Sequence, residues 1–212
     1  MAIFKQGING GFTGKVGSVI GYQLNGQWVM KALPKSSVKN KKGTAQQKLC
    51  RFGFTRMQHF LKPLISFIRV GYNLESKLRM MTAHNAAKSY NMRNALDADG
   101  EIDYAKVCLT FGSLLGAEKP SVVKDDVGLH FSWENNTANN SIRETDQVMV
   151  VAYNVKAQRT YFKLSGARRI DGMETIEIPT FEKDNELHTW ISFISDDRQA
   201  IAMSSYTGHI II

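Results

Sequence analysis

From residue 101 onward, apolar and polar side chains alternate with a period of two, in short segments that turn residues separate. Successive side chains of an extended strand point to opposite faces, so this period restricts the second half of the chain to β structure. Leu129, Phe131 and Trp133, for example, share one face of a single predicted strand. The predicted strands are Lys106–Leu115, Val127–Glu134, Gln147–Asn154, Arg159–Lys163, Thr175–Ile178, His188–Ser195 and Ala200–Ser205.

This succession of short strands and turns is typical of an antiparallel β-sandwich. The chain has two cysteines, Cys50 and Cys108, and only the second falls in this region, so the disulfide of antibody domains is excluded. The pattern therefore resembles a fibronectin type III sandwich more than an antibody domain. Trp133 at the end of one strand and Tyr153 in the next agree with that resemblance.

The region before residue 101 has a helical periodicity instead. Thr44 and Gln47 have the spacing of a capping box, with a hydroxyl at the N-cap and Gln three residues later. Apolar residues then recur every three or four positions to about residue 70, which predicts an amphipathic helix that Pro63 kinks or divides. A second and more polar helix is predicted over Leu74–Leu96.

An Asn-Gly pair, Asn25-Gly26, lies between two segments rich in β-forming residues, Val16–Leu24 and Gln27–Leu33. Asn-Gly supplies the positive φ angles of a two-residue turn, so it predicts a β-hairpin. We therefore expect an α+β protein with two domains. Residues 1–100 form a basic, glycine-rich hairpin and helical region, and residues 101–212 form an antiparallel β-sandwich of the fibronectin type III or Ig-like kind.

The charge of the chain is divided as unevenly as its periodicity. Residues 1–100 hold 16 basic and 3 acidic residues, a net charge of +13, whereas residues 101–212 hold 11 basic and 16 acidic residues, a net charge of −5. No acidic residue precedes Glu75. This asymmetry predicts an acidic partner for the N-terminal region, although the two halves of one molecule can also simply neutralise each other.

Residues 7–21 read GINGGFTGKVGSVIG, a stretch in which glycine is the commonest residue. A phosphate-binding P-loop needs Gly where Asn9 stands and Ser or Thr where Val16 stands, and a dinucleotide fingerprint needs a Gly-x-Gly that this stretch lacks. Both kinds of nucleotide site are therefore excluded. The glycines instead favour a strand that another backbone approaches closely.

No group of residues has the pattern of a catalytic or metal site, so we predict no enzyme activity, no catalytic residue, no cofactor and no metal. Cys50 and Cys108 both fall among apolar residues and are predicted to be core thiols. The acidic pairs Asp125-Asp126 and Asp196-Asp197 fall at predicted turns, where carboxylates are usually solvated.

These observations lead to the hypothesis of a structural or interaction protein that self-associates into a homo-oligomer or filament. We expect its glycine-rich strands to add to the sheet edge of a neighbouring copy. The oppositely charged halves of two copies would then fix a head-to-tail contact. The residues predicted for this assembly strand are Gly7, Gly10, Gly11, Gly14, Gly17, Gly21 and Trp28.

The alternative hypothesis is nucleic-acid binding by the basic linker and the first helix, where basic residues lie near aromatic ones. No helix-turn-helix, ribonucleoprotein or basic-zipper motif accompanies them, and the linker can equally be a solvated loop. A carbohydrate-binding or cell-surface module is a third hypothesis that the sandwich allows. The residues predicted to contact a polyanion or an acidic protein surface are Lys35, Lys39, Lys41, Lys42, Lys48, Arg51 and Arg56.

The stretch GGFTGKVGSVIG, followed by WVMKALP over residues 28–34, resembles an uncharacterised family of Bacteroidota proteins, a domain of unknown function with a GGFSGKVG-like start. Further similarities are AQQ at residues 45–47, NAAKSYN at 85–91 and IDY at 102–104. The resemblance implies an evolved domain pair and supplies no catalytic residues. The N-terminus has no secretory signal and no apolar run could span a bilayer, so we expect a cytoplasmic protein, with export by a non-classical route left open.

Overall fold

The computed structural model describes residues 3–4, 10–24, 26–34, 43–125, 127–136, 144–179 and 185–211. The chain forms two compact units, Met1–Thr44 and Ala45–Ile212. This division differs from the boundary expected near residue 100, because the helices that follow residue 45 share a hydrophobic cluster with strands that follow residue 147. No helix in the described part of the chain is long and apolar enough to cross a membrane.

The first unit is an antiparallel sheet with the strand order β1-β2-β3-β4. The Asn-Gly hairpin is confirmed, since Leu24 pairs with Gln27 across a two-residue turn. Gly26 in that turn has a φ of +81°, an angle that favours glycine, whereas Asn25 lies outside the described residues. The strands are β1 Ile3–Phe4, β2 Phe12–Val16, β3 Val19–Leu24 and β4 Gln27–Ala32.

The second unit begins with four helices: α1 Ala45–Leu61, α2 Ile65–Gly71, α3 Asn73–Leu78 and α4 Ala83–Asn94. As the capping-box spacing predicts, α1 begins directly after Thr44. Pro63 lies in the turn that separates α1 from α2, so the predicted division of the first helix is confirmed.

The second predicted helix is divided as well, which the sequence pattern did not indicate. Met80 has a φ of +50°, an angle outside the helical range, and therefore ends the run that α3 begins. Thr82 then serves as the N-cap of α4, and its hydroxyl accepts the N–H of Asn85 at 3.2 Å.

The rest of the second unit consists mainly of two antiparallel sheets, with the strand orders β11-β10-β7-β8 and β5-β6-β9. Together with the first unit and the helices, they make the protein a mixed α and β structure, as the sequence predicts at that level. The strands are β5 Glu118–Lys124, β6 Gly128–Glu134, β7 Gln147–Asn154, β8 Arg159–Lys163, β9 Met173–Glu177, β10 Glu186–Ile194 and β11 Ser205–Ile211. Short 3₁₀ helices occupy Tyr104–Lys106 and Arg169–Asp171.

Two hydrophobic clusters cover the two faces of the sheet that contains β7 and β10. The first lies against the helices, and among its buried members are Met57, Phe60, Leu61, Phe67, Tyr72, Val151 and Trp190. The second lies against the sheet that contains β6, and among its members are Leu129, Phe131, Trp133, Val150, Ile191 and Phe193. The predicted shared face of β6 is therefore confirmed, and both faces of β10 are covered.

The predicted strand over Lys106–Leu115 is wrong. This segment is largely irregular, and side chains rather than a neighbouring strand satisfy much of its buried backbone. The amide of Asn91 accepts the N–H of Cys108 and donates to its carbonyl, each at 2.8 Å. The N–H of Leu109 donates to the hydroxyl of Ser204, also at 2.8 Å.

Two strands differ from prediction for local reasons. The sequence pattern missed β5, which contains Pro120 and several charged side chains, as edge strands often do. It also placed a strand over Ala200–Ser205, whereas β11 begins only at Ser205 and contains Thr207 and Gly208. A register shift opposite Thr189 places a β-bulge there, and Gly208 adopts a φ of +114°.

Candidate interaction surfaces

The register of the N-terminal sheet assigns its side chains to two faces. Directly paired residues of antiparallel strands point to the same side, so Gly21 and Met30 share one face, and Ile20 and Lys31 share the other. The first, which we name the neutral face, comprises Phe12, Gly14, Val16, Val19, Gly21, Gln23, Trp28, Met30 and Ala32. The second, which we name the cationic face, comprises Thr13, Lys15, Ile20, Tyr22, Leu24, Gln27, Val29 and Lys31.

The neutral face is open to solvent although it carries no charge. Val16 is 40% exposed, Trp28 41% and Met30 69%. Of the described residues in β2, β3 and β4, only Phe12 and Gly21 are buried. A sheet of this size normally needs a covered apolar face to be stable, and contiguous exposed apolar surface usually marks an interaction site.

The close approach expected of the glycines occurs within the sheet itself. A Cβ on Gly21 would lie 2.5 Å from the carbonyl oxygen of Phe12 and 2.7 Å from its ring, and a Cβ on Gly11 would overlap the indole of Trp28. Glycine at these two positions therefore lets two aromatic side chains pack closely against the backbone. Of the remaining predicted assembly glycines, Gly10 lies at a bend, Gly14 lies in β2 and Gly17 lies in the β2–β3 turn. Gly7 lies outside the described residues.

The outward side of α1 is basic and aromatic, as the alternative hypothesis expects. Lys48 and Arg51 are exposed, and no ion pair joins either of them to a described residue. Arg56 differs, because it pairs with Glu101 and lies 5.3 Å from the ring centre of Phe52. The predicted contact residues Lys35, Lys39, Lys41 and Lys42 lie outside the described part of the chain.

The two cysteines have different surroundings. Cys108 is buried, and burial raises the pKa of its thiol, so the predicted core thiol is confirmed there. The same prediction for Cys50 is wrong, because Cys50 lies on the outer side of α1 and is exposed. The side of α1 that packs into the protein carries Gly53, Met57 and Phe60 instead.

An apolar cleft of about 590 Å³ lies beside α3. Leu74, Phe111 and Ile201 contribute to its apolar lining. Glu75, the carboxylate that also lines it, is paired with Arg79 at 3.0 Å. This composition suits an apolar contact better than acid–base chemistry.

One triad-like arrangement lies on the outer side of the β5-β6-β9 sheet. The ring of His130 contacts a carboxylate oxygen of Asp125, and its Nδ1 lies 2.7 Å from the hydroxyl of Thr175. The other oxygen of Asp125 accepts the N–H groups of Val127 and Gly128 at 2.8 and 2.9 Å. These bonds close the β5–β6 turn, so the arrangement is explained as the anchor of a turn rather than as a nucleophile and its base.

A second histidine lies inside an aromatic stack. The ring of His188 lies 3.8 Å from that of Tyr104, and its Nδ1 lies 2.7 Å from the hydroxyl of Tyr206. Burial lowers the pKa of His188, although Glu186 opposes this effect. With only 7% of its surface exposed, His188 is a core residue rather than an accessible acid or base.

Among the described residues, no group of three or more His, Cys, Asp or Glu side chains could hold a metal ion. The family model of DUF6266, a family of unknown function, matches residues 11–208. The chain belongs to this family. No curated protein and no solved structure matches the chain. Membership agrees with the resemblance to an uncharacterised family and assigns no role to any residue.

Proposed function

We propose that this member of DUF6266 is a non-enzymatic structural or interaction protein that self-associates into an oligomer or filament through its N-terminal sheet. The observation that carries the proposal is the neutral face, which combines the exposed side chains of Val16, Trp28 and Met30 with Gly14 and Gly21. A surface of this kind remains costly in water until a partner covers it.

Charge favours a second copy as that partner. Residues 1–44 contain seven lysines and no acidic residue, whereas residues 101–212 have a net charge of −5. Exposed carboxylates within residues 101–212, such as Glu177, Glu186 and Asp196, supply groups of the opposite sign. A contact between the N-terminal sheet of one copy and carboxylates of the next is heterologous, and such contacts generate rings or open filaments.

The test is the molar mass of the full chain by size-exclusion chromatography with light scattering, over a range of concentration and salt. We expect mass to rise with concentration, and the charge-driven contact to weaken as salt screens it. Negative-stain microscopy then distinguishes rings from filaments. A strict monomer at high concentration and low salt would contradict the proposal.

Nucleic-acid binding is the second candidate, and the exposed Lys48 and Arg51 on α1 favour it. Labelled DNA and RNA should then bind with an affinity that falls steeply with salt, and replacing Lys39, Lys41 and Lys42 by Gln should reduce that slope. Absence of binding at low salt would exclude this function.

We also propose that the two sheets of the second unit form a sandwich of the fibronectin type III or Ig-like kind. The orders β5-β6-β9 and β11-β10-β7-β8, with a hydrophobic cluster between the sheets, support a fibronectin type III or Ig-like sandwich. One detail departs from the expected pattern. Trp133 lies in the cluster between the sheets, but Tyr153 lies in the cluster against the helices. The Bacteroidota origin and the glycine-rich signature of the family stay predictions.

A further inference from the structure

The outer edge of β4 presents backbone groups that no described strand pairs with. The hydrogen bond from the N–H of Leu33 to the carbonyl of Ser18, at 2.8 Å, fixes which residues of this strand face β3. Bonding alternates along an antiparallel ladder, so odd-numbered residues such as Val29 and Lys31 face β3. The N–H and C=O groups of Trp28 and Met30 therefore face away from the sheet, and in the described part of the chain no strand pairs with them.

This edge lacks much of the protection that edge strands commonly have. It is as long as β3, has no register shift and contains no proline, and its one charged side chain is Lys31. The outward groups belong to Trp28 and Met30, which are also exposed side chains of the neutral face. The same two residues thus offer both backbone bonds and apolar surface.

We propose that β4 pairs in antiparallel fashion with β4 of a second copy, about a two-fold axis that passes beside Val29. This inference rests on the proposed self-association and names one of its contacts. The two N-terminal sheets then form one continuous sheet, and their neutral faces join into a single larger face.

The side chains select this partner and this register. With Val29 opposite its own copy, Trp28 of each strand lies opposite Met30 of the other, an aromatic–thioether contact that stabilises paired strands. Lys31 lies opposite Gln27, so no like charges meet directly. A shift by one residue would join a neutral face to a cationic face, and a shift by two would set Val29 opposite Lys31.

The symmetry of the contact makes its position measurable by cysteine cross-linking. Val29 and its copy form a non-hydrogen-bonded pair, with Cα atoms about 4.5 Å apart, close enough for a disulfide. Lys31 and its copy are offset by four residues, about 13 Å along the strands, which is too far. In a Cys50→Ser background, Val29→Cys should form a linked dimer under mild oxidation, and the matched variant Lys31→Cys should not.

A proline variant supplies the second measurement. Met30→Pro removes an outward N–H but no hydrogen bond to β3, so the hairpin is expected to stay folded while the β4 contact is lost. High salt should preserve the β4–β4 dimer, because salt screens the repulsion between the two lysine-rich N-terminal regions. The head-to-tail contact depends on opposite charges, so high salt should weaken it. Linked dimers of Val29→Cys and loss of dimer in Met30→Pro at high salt would support the inference.

Equal cross-linking of the two cysteine variants, or an unchanged dimer fraction in Met30→Pro, would overturn the β4 pairing. If the wild-type chain still assembles in that case, self-association stands and uses another contact. A wild-type chain that is strictly monomeric would contradict both the β4 pairing and the proposed self-association.

Discussion

At the scale of single residues, His188 links the stability of the core to pH. Burial lowers its pKa, Glu186 raises it and His209 lowers it. A group whose pKa is lower in the folded than in the unfolded state stabilises the protein above its unfolded pKa, here about 6.5, and this stability is lost as pH falls from there. We therefore expect the free energy of unfolding to decline between about pH 7 and pH 5, and to decline less in His188→Phe.

Urea denaturation followed by tryptophan fluorescence at a series of pH values measures this decline. His84 supplies a second test, since burial and Lys88 also lower its pKa. His84→Gln should reduce the decline of the free energy of unfolding over the same pH range, and the double variant should reduce it further. A pH profile of His188→Phe that parallels the wild type would contradict the assignment.

The buried pair of Arg169 and Asp146 should be far more sensitive to single than to double substitution. Their side chains are 0% and 1% exposed, and the guanidinium lies 3.7 Å from the ring centre of Phe193. Removing Arg169 alone leaves a carboxylate in the core without its cation, which costs about 3–5 kcal/mol. Arg169→Met should therefore lower the midpoint of denaturation strongly, and Arg169→Met with Asp146→Leu should recover much of the loss. A double variant as unstable as the single one would contradict this, and would assign the loss to the other bonds of Arg169, which it donates to Leu115, Gly116 and Asn136.

At the scale of elements, local composition predicted the regular strands and mispredicted a segment whose structure long-range contacts define. The predicted bounds of β7 and β8 are confirmed, because both are regular strands without a bulge. The segment after Lys106 has the composition of a strand, but several of its bonds come from distant side chains, such as Asn91, 17 residues away from Cys108, and Ser204. A periodic sequence pattern cannot indicate a contact between residues so far apart in the sequence.

The break between α3 and α4 gives an element-scale prediction. Thr82 caps α4 through the N–H of Asn85, so Thr82→Ala should destabilise the protein by about 1 kcal/mol, while Thr82→Ser should change little. Met80 has a positive φ, so Met80→Gly should be neutral or slightly stabilising. Thermal denaturation of the three variants checks the order, and an equal loss in Thr82→Ala and Thr82→Ser would exclude the cap.

At the scale of the whole molecule, the sequence indicated the hairpin and its glycines but not the boundary of the units. Asn-Gly and the β-forming residues around it are local signals. The boundary depends instead on a cluster that joins Met57 on α1 to Trp190 on β10, and this depends on tertiary packing. The neutral face was hidden for a similar reason, since it emerges only when the registers of three strands are combined.

That packing predicts that the second unit folds without the first. The buried residues of both hydrophobic clusters all follow residue 45, so a chain of residues 45–212 retains the described core. We expect it to unfold cooperatively, with a Tm within a few degrees of the full chain, because about 1 kcal/mol corresponds to only ~2–4 °C at this size. Calorimetry measures the Tm, and light scattering measures the mass of both chains under the same conditions. The truncated chain should be monomeric where the full chain associates. A truncated chain that associates equally would place the contact within the second unit and remove the N-terminal sheet from the assembly.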